Sequence, residues 1–260
     1  MRALGLYAAQ VGAAIRASFA HRGAFLLQVG GMSLNNLVFL TLWYLFFAGF
    51  RSVGGWRLAD MALLMGLIMS IVGWAGVAFG GYRDLAATVL KGELDALLTQ
   101  PKALIPRLLA RESNPAHWGD VLGGALVLAG FARLTPAEMP RLGVAFAAGL
   151  TVFVSAGVAF ASLAFWTAGA RSFARDLTDF MLLFSSYPTS VFQGPTKLIA
   201  YTVLPAGFVV AAPVGLVRHP SWTSLAIVAG SAALYAALAG VLFHLGVGRY
   251  RRGLTATGLA

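Results

Sequence analysis

The chain has 260 residues, of which 59% are hydrophobic and only 11% are charged, and it contains no cysteine. Soluble domains carry about 25% charged residues, so this composition excludes an ordinary soluble globular protein. The lack of cysteine excludes disulfides, thiol nucleophiles and thiolate metal sites. Together these observations predict an all-α, polytopic membrane protein.

The charge is strongly basic, with 19 Lys and Arg against 9 Asp and Glu. In a soluble protein this excess could indicate nucleic-acid binding. In a membrane protein, basic residues instead collect in the cytoplasmic loops between spans. We therefore expect no nucleic-acid partner, and the positions of Lys and Arg can be used to orient the spans.

Residues 1–22 combine a periodic apolar face with several basic residues. The apolar side chains recur at steps of three or four residues, the spacing of one helix face: Leu4, Tyr7, Val11, Ile15 and Phe19. Such a helix lies in the membrane interface more readily than it crosses the membrane. We predict an N-terminal interfacial helix; the alternative is an extension of the first span.

Residues 23–260 are expected to form a single transmembrane domain of six spans. These are predicted at about residues 24–50, 61–80, 116–132, 142–168, 177–192 and 222–248. The first span carries four side chains that are too polar to face lipid and are expected to turn toward other helices: Gln28, Ser33, Asn35 and Asn36. The third span is the weakest, because Asp120 lies near its start.

The segment 180–217 is apolar but interrupted by four prolines: Pro188, Pro195, Pro205 and Pro213. As one straight helix it would be about 57 Å long, nearly twice the hydrocarbon thickness of a bilayer. A proline inside a helix also removes a backbone donor. The segment therefore forms either two full spans or one span plus short helices that dip back into the membrane.

The distribution of basic residues favours the second alternative. With one span in this segment, both termini are cytoplasmic and 13 of the 19 Lys and Arg residues lie inside. Two full spans would move residues 249–252 outside and leave nearly equal numbers of Lys and Arg residues on the two sides of the membrane. Because basic loops stay inside, we expect six spans and a broken, partly re-entrant external element at about 193–217.

Catalytic motifs are missing from the sequence. It contains neither the G-x-x-x-x-G-K-[ST] loop that cradles a nucleotide phosphate nor an H-E-x-x-H metal motif. The four histidines are scattered along the chain, and the expected spans lack a series of buried carboxylates. We therefore expect that the chain is not an enzyme, holds no metal and carries no cofactor of its own.

The most distinctive stretch is LKGELDALLTQP at residues 90–101. It resembles the G-x-L-D-x-x-L-x-x-P signature of ABC transporter permeases of the type-2 exporter class. The resemblance is closest to the branch with paired permeases and a separate ATPase subunit. It extends to Phe184, Tyr187 and Pro188, to the region from Pro205 to Pro213, and to the order of elements over nearly the whole chain.

This resemblance implies a coupling helix at about residues 92–99 that docks in a groove of the ATPase subunit. The residues concerned are Gly92, Glu93, Leu94, Asp95, Leu97, Leu98 and Pro101. Their pattern is compatible with that role, since the leucines form one apolar edge and the two acids lie near the positive end of the helix dipole. The alternative is a plain surface helix in a loop.

The resemblance also implies partners and a direction of transport. An ATPase subunit would bind ATP and Mg²⁺, and a second permease, identical or homologous, would complete a dimer for export across the plasma membrane. The pathway-lining candidates are Gln28, Ser33, Asn35, Asn36 and Tyr187. Two other functions stay open at this point: a secondary carrier or channel without an ATPase, and a membrane assembly protein without transport. The lining groups suit lipids, peptides or drugs alike.

Overall fold

The computed structural model describes residues 2–50, 52, 55–100, 103–167, 170–188, 191–192 and 194–256, with residues 2–4 and 253–256 described by their backbone only. Across these residues the chain forms twelve α-helices: α1 (Arg2–Ser18), α2 (Arg22–Gly49), α3 (Leu58–Ala78), α4 (Leu85–Leu90), α5 (Asp95–Leu98), α6 (Leu104–Leu109), α7 (His117–Gly130), α8 (Met139–Ser162), α9 (Ala170–Ser185), α10 (Gly194–Tyr201), α11 (Ala212–Arg218) and α12 (Trp222–Ala256). Short 3₁₀ helices lie at Gly80–Tyr82, Pro136–Glu138 and Leu163–Phe165, and a π-helical turn lies at Gly207–Ala211.

Four helical segments of the described chain are long and apolar enough to cross a membrane. They are Arg22–Gly49, Leu58–Ala78, Pro136–Phe165 and Trp222–Arg252, and they overlap the first, second, fourth and sixth predicted spans. α7 overlaps the third, but its 14 residues make about 21 Å of helix, less than the roughly 30 Å of a hydrocarbon core. The fold is that of a polytopic helical membrane protein, and the count of six spans stays a prediction.

α3 is the central helix, with almost all of its side chains buried. Its closest partner is α7, and glycines make that contact possible. A Cβ atom at Gly73 would lie 2.7 Å from the backbone nitrogen of Val121, and one at Gly66 would lie 2.6 Å from the side chain of Leu128. Because small residues let helix backbones approach closely, α3 and α7 form the tightest pair of the bundle.

α8 and α12 form a second pair. Gly246 of α12 packs directly on the Phe165 ring, and the buried Phe243 ring lies 5.8 Å from the same ring. The buried Tyr82 connects this pair to α3, because its ring packs edge-on against Phe153 of α8 at 6.0 Å. The 3₁₀ turn that follows α3 therefore joins the two helix pairs.

α2 lies at the periphery of the bundle. It packs mainly on α7, and the outward leucines Leu34 and Leu45 are 61% and 65% exposed. In a membrane protein, an exposed apolar helix face of this kind contacts lipid or another membrane helix.

α1, which overlaps the predicted interfacial helix, is a separate helix joined to α2 by a turn at residues 19–21. The Tyr7 hydroxyl donates a hydrogen bond to the carbonyl oxygen of Ala78 at the end of α3 (2.7 Å). The Tyr7 ring also lies 5.7 Å from the Phe79 ring. These contacts fasten α1 to the place where α3 ends.

The proline-rich segment is interrupted in the structure. α9 ends at Ser185, whose hydroxyl lies 3.5 Å from the carbonyl oxygen of Ala206, just before the π-helical turn that leads into α11. α10 therefore lies in the connection between two helical segments, α9 and the π-helical turn with α11, whose ends are close together. α9 begins at Ala170, seven residues before the predicted fifth span, and therefore includes the charged residues Arg171, Arg175 and Asp176.

The bundle has two ends. At the first, which we call the 82–114 end, α3 ends and α7 and α9 begin around the segment 82–114. At the second, the Arg218 end, α3 and α8 begin while α7 and α11 end. Arg218 forms ion pairs of 3.1 Å with both Asp60 and Glu138 and donates hydrogen bonds to the carbonyl oxygens of Ala59 (3.1 Å) and Ala132 (2.6 Å). One guanidinium thus joins four elements.

Candidate functional site

A cleft of about 530 Å³ opens between α2, α3, α7 and α9. Met65, Ile68 and Met69 of α3 form its apolar floor, while Phe39 of α2 and Leu182 of α9 form its sides. The space exists because α2 packs on α7 and α9 packs on α8, which leaves α2 and α9 apart. Small-molecule sites in proteins typically have volumes of about 300–1,000 Å³.

Three buried polar side chains meet on one side of this cleft, and we call them the Asp120 cluster. Asn36 of α2 donates a hydrogen bond from Nδ2 to Oδ1 of Asp120 at 2.8 Å. The other carboxylate oxygen, Oδ2, lies 2.8 Å from Nδ1 of His117. All three residues are at most 8% exposed. A carboxylate buried to this extent needs such partners, because an unpaired desolvated charge is costly.

Glycines leave room for the Asp120 cluster. A Cβ atom at Gly76 of α3 would overlap the His117 ring, and one at Gly123 of α7 would lie 3.2 Å from Nδ2 of Asn36. At Gly119 a Cβ atom would lie 2.8 Å from a carbonyl oxygen of α2. α2, α3 and α7 can therefore approach the cluster from three sides only because these positions have no side chain.

Aromatic rings close the cleft at one end. Trp43 of α2 and Tyr187, which follows α9, have ring centroids 6.1 Å apart at an interplanar angle of 66°. Trp43 lies seven residues beyond Asn36 on α2, about 10 Å along the helix axis. Edge-to-face ring packing is favourable, so this contact holds α2 against the end of α9.

The opposite end of the cleft, at the 82–114 end of the bundle, is polar. Arg83, Asn114 and Asp179 line it. Nε of Arg83 donates a hydrogen bond to the Tyr82 hydroxyl (3.1 Å), and the guanidinium is within electrostatic reach of Asp179 and Asp120. Among the described side chains, however, no ion pair within 4.0 Å joins Arg83 to either carboxylate. A cation and an anion thus lie at this mouth without direct contact.

The five predicted pathway residues divide into two groups. Asn35, Asn36 and Tyr187 line the cleft. Gln28 is exposed on α2 and does not line it, and Ser33 is half-buried where α2 backs onto Gly119 of α7. The structure therefore brings three of the five together and leaves the other two apart.

The segment predicted as a coupling helix is helical only from Asp95 to Leu98, in α5. Gly92 has a φ of +73°, a left-handed conformation that favours glycine and that separates α4 from α5. Leu94 is fully buried, and Leu97 and Leu98, which follow it, are half-buried. Glu93 and Asp95 are exposed, and Pro101 lies outside the described residues.

Arg107 of α6 fastens the end of α5. Its guanidinium donates hydrogen bonds to the carbonyl oxygen of Leu97 (3.1 Å) and to Oε1 of Gln100 (2.8 Å), and the residue is 5% exposed. A cation at the carboxyl end of a helix complements the helix dipole and satisfies a carbonyl that lacks a helical partner. The Asp95 carboxylate interacts with the Tyr250 hydroxyl of α12. α5 is thus tied to two other parts of the chain.

α6 in turn packs on the turn that leads to the mouth of the cleft. Cβ atoms at Gly80 or Gly81 would collide with the backbone at Glu112 and Leu108, so the two segments touch through their main chains. Beside this contact lies a polar cavity of about 490 Å³, lined by Asp84 and Glu112 among others. Burial of the Glu112 carboxyl, followed by its hydrogen bond to Asp84 and the charge of that residue, raises the pKa of Glu112 to about 7.

The described residues include no group of three or more His, Asp and Glu that could hold a metal ion. The sequence profile of a family described as ABC-2 family transporter protein matches residues 34–253. That range includes the segment 82–114 and all the residues that line the cleft except Met32. The chain belongs to the ABC-2 family of transporter proteins. The same comparisons gave no match to a curated protein or to a solved structure.

As an ABC-2 permease, the chain is a membrane component of an ABC transporter and a multi-pass membrane protein. The family implies an ATP-binding partner subunit and a lipid environment, and its members are generally non-enzymatic membrane components. The family match and the all-helical fold agree with the resemblance drawn from residues 90–101.

The roles of three residues, Arg107, His117 and Asp120, were not predicted from the sequence. Arg107 was counted only as a basic residue of a loop, although it is nearly buried and holds α5. Asp120 was noted only as a charge near the start of the third span, whereas it forms a buried cluster with His117 and Asn36. A usable signal did exist: a His and an Asp three residues apart lie on one helix face, and a carboxylate near a membrane span is expected to have a partner.

Proposed function

We propose that this ABC-2 permease forms its translocation pathway through the cleft and couples it to ATP hydrolysis by a separate ATPase subunit. The segment 92–99 docks on that subunit, which binds ATP and Mg²⁺, and transport is directed outward. The chain works in the plasma membrane with both termini cytoplasmic. A second permease, homologous or identical, packs against the exposed face of α2 to complete a dimer.

One observation carries this proposal: α5 and the polar mouth of the cleft lie at the same end of the bundle and are connected through packed backbone. Arg107 joins α5 to α6, and α6 lies on Gly80 and Gly81, directly before Arg83 at the mouth. A displacement of α5 by a partner therefore reaches the cleft through a short series of contacts. Exposed acids and half-buried leucines on α5 supply a surface on which a partner can act.

The basic residues support the orientation. The 82–114 end carries Lys91, Arg111, Arg171 and Arg175, and α12 ends there with Arg249, Arg251 and Arg252. Positive residues next to membrane spans stay in the cytoplasm, so this end faces the cytoplasm, where an ATPase operates. The cleft then opens toward the cytoplasm and is closed by Trp43 and Tyr187 on the side of the Arg218 end.

The test uses the full chain purified together with its ATPase subunit and reconstituted in lipid. The double variant Asp95→Lys, Leu98→Asp reverses one exposed charge and puts a charge on the apolar edge of α5. We expect the ATPase to associate at least tenfold more weakly and permease-stimulated ATP hydrolysis to be lost. A desolvated charge at an interface costs several kcal/mol, and each 1.4 kcal/mol weakens a dissociation constant about tenfold.

The matched control is Asp176→Lys, which reverses an exposed carboxylate on α9 that lies outside the cleft and outside α5. It should leave association and hydrolysis at the unmodified level. Unchanged stimulation in the double variant would show that the coupling assignment is wrong, and activity in the complete absence of an ATP-hydrolysing subunit would favour a secondary carrier instead.

A further inference from the structure

The cleft mouth holds a cation and an anion that are not paired with each other. Arg83 and Asp179 both line it, they interact electrostatically, and no contact within 4.0 Å joins them among the described side chains. Arg83 is half-buried and Asp179 is exposed. Ionised groups that do not touch each other retain most of their capacity to bind a ligand of opposite charge.

The third charge of the cleft is already engaged. Asp120 accepts a hydrogen bond from Asn36 and contacts His117, and it is 5% exposed. It therefore has little capacity left for a ligand. The charges that remain available are one positive group at Arg83 and one negative group at Asp179.

The rest of the cleft is apolar and adaptable. Its walls include Met32, Met65 and Met69 together with Ile68 and Leu182. Methionine side chains are flexible and adjust to irregular apolar shapes. Except at the Trp43–Tyr187 contact, α2 and α9 do not pack closely on each other, which leaves room for the apolar part of a ligand between them.

We infer that the cleft binds a zwitterionic amphiphile, with its anionic group on Arg83, its ammonium group on Asp179 and its apolar chain over the methionine floor. This inference rests on the proposed function, since it names the substrate class of the proposed pathway. A purely anionic head would meet Asp179, and a purely cationic head would meet Arg83, so each single charge is disfavoured by one of the two residues. The volume of about 530 Å³ suits a head region and the beginning of a chain.

The experiment measures binding to the purified full chain in an uncharged maltoside detergent, so that no charged lipid competes. Three amphiphiles with the same labelled chain are compared: a zwitterionic phosphatidylethanolamine, an anionic phosphatidylglycerol and a cationic alkylammonium. Soluble phosphoethanolamine, which has no chain, serves as a competitor. We expect the phosphatidylethanolamine to bind about tenfold more tightly than either singly charged amphiphile, from one additional charge-assisted contact. Soluble phosphoethanolamine should compete only weakly.

Two substitutions give opposite patterns if the inference holds. Asp179→Asn should weaken phosphatidylethanolamine about tenfold while phosphatidylglycerol binds as well as before or better. Arg83→Gln should weaken both of these lipids and improve the alkylammonium. Asp176→Asn, which removes a carboxylate three residues away on α9, and Arg22→Gln on α2 are the matched controls and should change nothing.

Equal binding of the three amphiphiles by the unmodified chain would overturn the inference without any variant. Competition by phosphoethanolamine as strong as that by the labelled lipid would overturn the amphiphile part, because the apolar chain would then contribute nothing. None of these measurements needs the ATPase, so a failure here leaves the coupling test intact, and a failure of that test leaves the binding result standing.

Discussion

The two ends of the bundle hold their charges in different ways. At the Arg218 end, one guanidinium with a side-chain exposure of 17% makes ion pairs of 3.1 Å with two carboxylates. At the 82–114 end, the ion pairs Arg111–Glu93 and Arg175–Asp84 are 3.4 Å and 3.3 Å long, and their side chains are 42–50% exposed. Exposed pairs contribute about 0–1 kcal/mol, whereas breaking a buried pair costs about 3–5 kcal/mol.

This difference supports the proposed coupling, in which motion begins at the 82–114 end. The partly buried arrangement around Arg218 fixes the start of α3 and α8 and the ends of α7 and α11 in one geometry. The exposed pairs at the 82–114 end, which flank α5 and α6, can separate and re-form at small cost, whereas Arg107 and the buried Leu94 hold α5 more firmly. The proposed docking surface lies at this adaptable end.

The largest expected effect is the loss of stability when Arg218 is replaced. The substitution Arg218→Met leaves two carboxylates and two carbonyl oxygens without their common partner. Because these groups are only partly buried, we expect a loss of about 2–4 kcal/mol in the free energy of unfolding, somewhat less than for a fully buried pair. Thermal or denaturant unfolding in detergent measures it. Arg133→Met, at an exposed residue of the same end, should cost less than about 0.5 kcal/mol. Equal effects of the two variants would contradict the assignment of Arg218 as the fixed hub.

The next effect tests the tight packing behind the cleft. Gly76→Ala places a methyl group in the His117 ring, which must move and disturb its contact with Asp120, and we expect a loss of about 2 kcal/mol by overpacking. Gly143→Ala on α8 has open space around the added methyl and should be neutral or stabilising by up to about 1 kcal/mol. The unfolding midpoints of the two variants measure these effects. An unchanged midpoint in Gly76→Ala would show that the His117 ring can adopt another position without loss of stability.

The sequence predicted the class of fold well, because hydrophobic length and the positions of Lys and Arg are local properties. The first and fourth spans, for example, differ from α2 and α8 by only a few residues. The short motif at residues 90–101 also led to the correct family. The interruption of segment 180–217 was predictable, since proline acts through its own ring and missing donor.

The cleft was predictable only in part, because it depends on which helices touch. Asn36 was chosen for its polarity, and Tyr187 belongs to the stretch that carries the family resemblance. Nothing local separates Asn36 from Gln28, which is exposed and does not line the cleft. The Asp120 cluster depends on the absence of a side chain at Gly76, forty-four residues from Asp120 along the chain. The hydrogen bonds of Arg107 likewise depend on tertiary packing rather than on its neighbours in sequence.

A smaller effect concerns the link between α5 and the bundle. Arg107→Ala removes two hydrogen bonds that hold the end of α5, which loosens α5 by about 1–3 kcal/mol while the bundle itself stays folded. We expect permease-stimulated ATP hydrolysis to fall about fivefold or more, with an unfolding midpoint much closer to the unmodified protein than that of Arg218→Met. Arg107→Lys, which can keep one of the two bonds, should restore part of the activity. A normal rate in Arg107→Ala would show that the position of α5 does not matter for coupling.

The smallest effect is a dependence of the 82–114 end on pH. The pKa of Glu112 is raised from 4.5 to about 7, first by burial and then by Asp84, so the folded chain binds a proton that the unfolded chain has already released. Since the folded state holds more protons between these values, its stability is fully present below about pH 4.5 and is lost as the pH rises through about 7. Hydrogen exchange of residues 82–114, corrected for intrinsic rates, should show protection that decreases over this interval, while protection at the Arg218 end stays constant. Glu112→Gln should remove the decrease and Asp176→Asn should keep it; a decrease that persists in Glu112→Gln would assign the proton to another group.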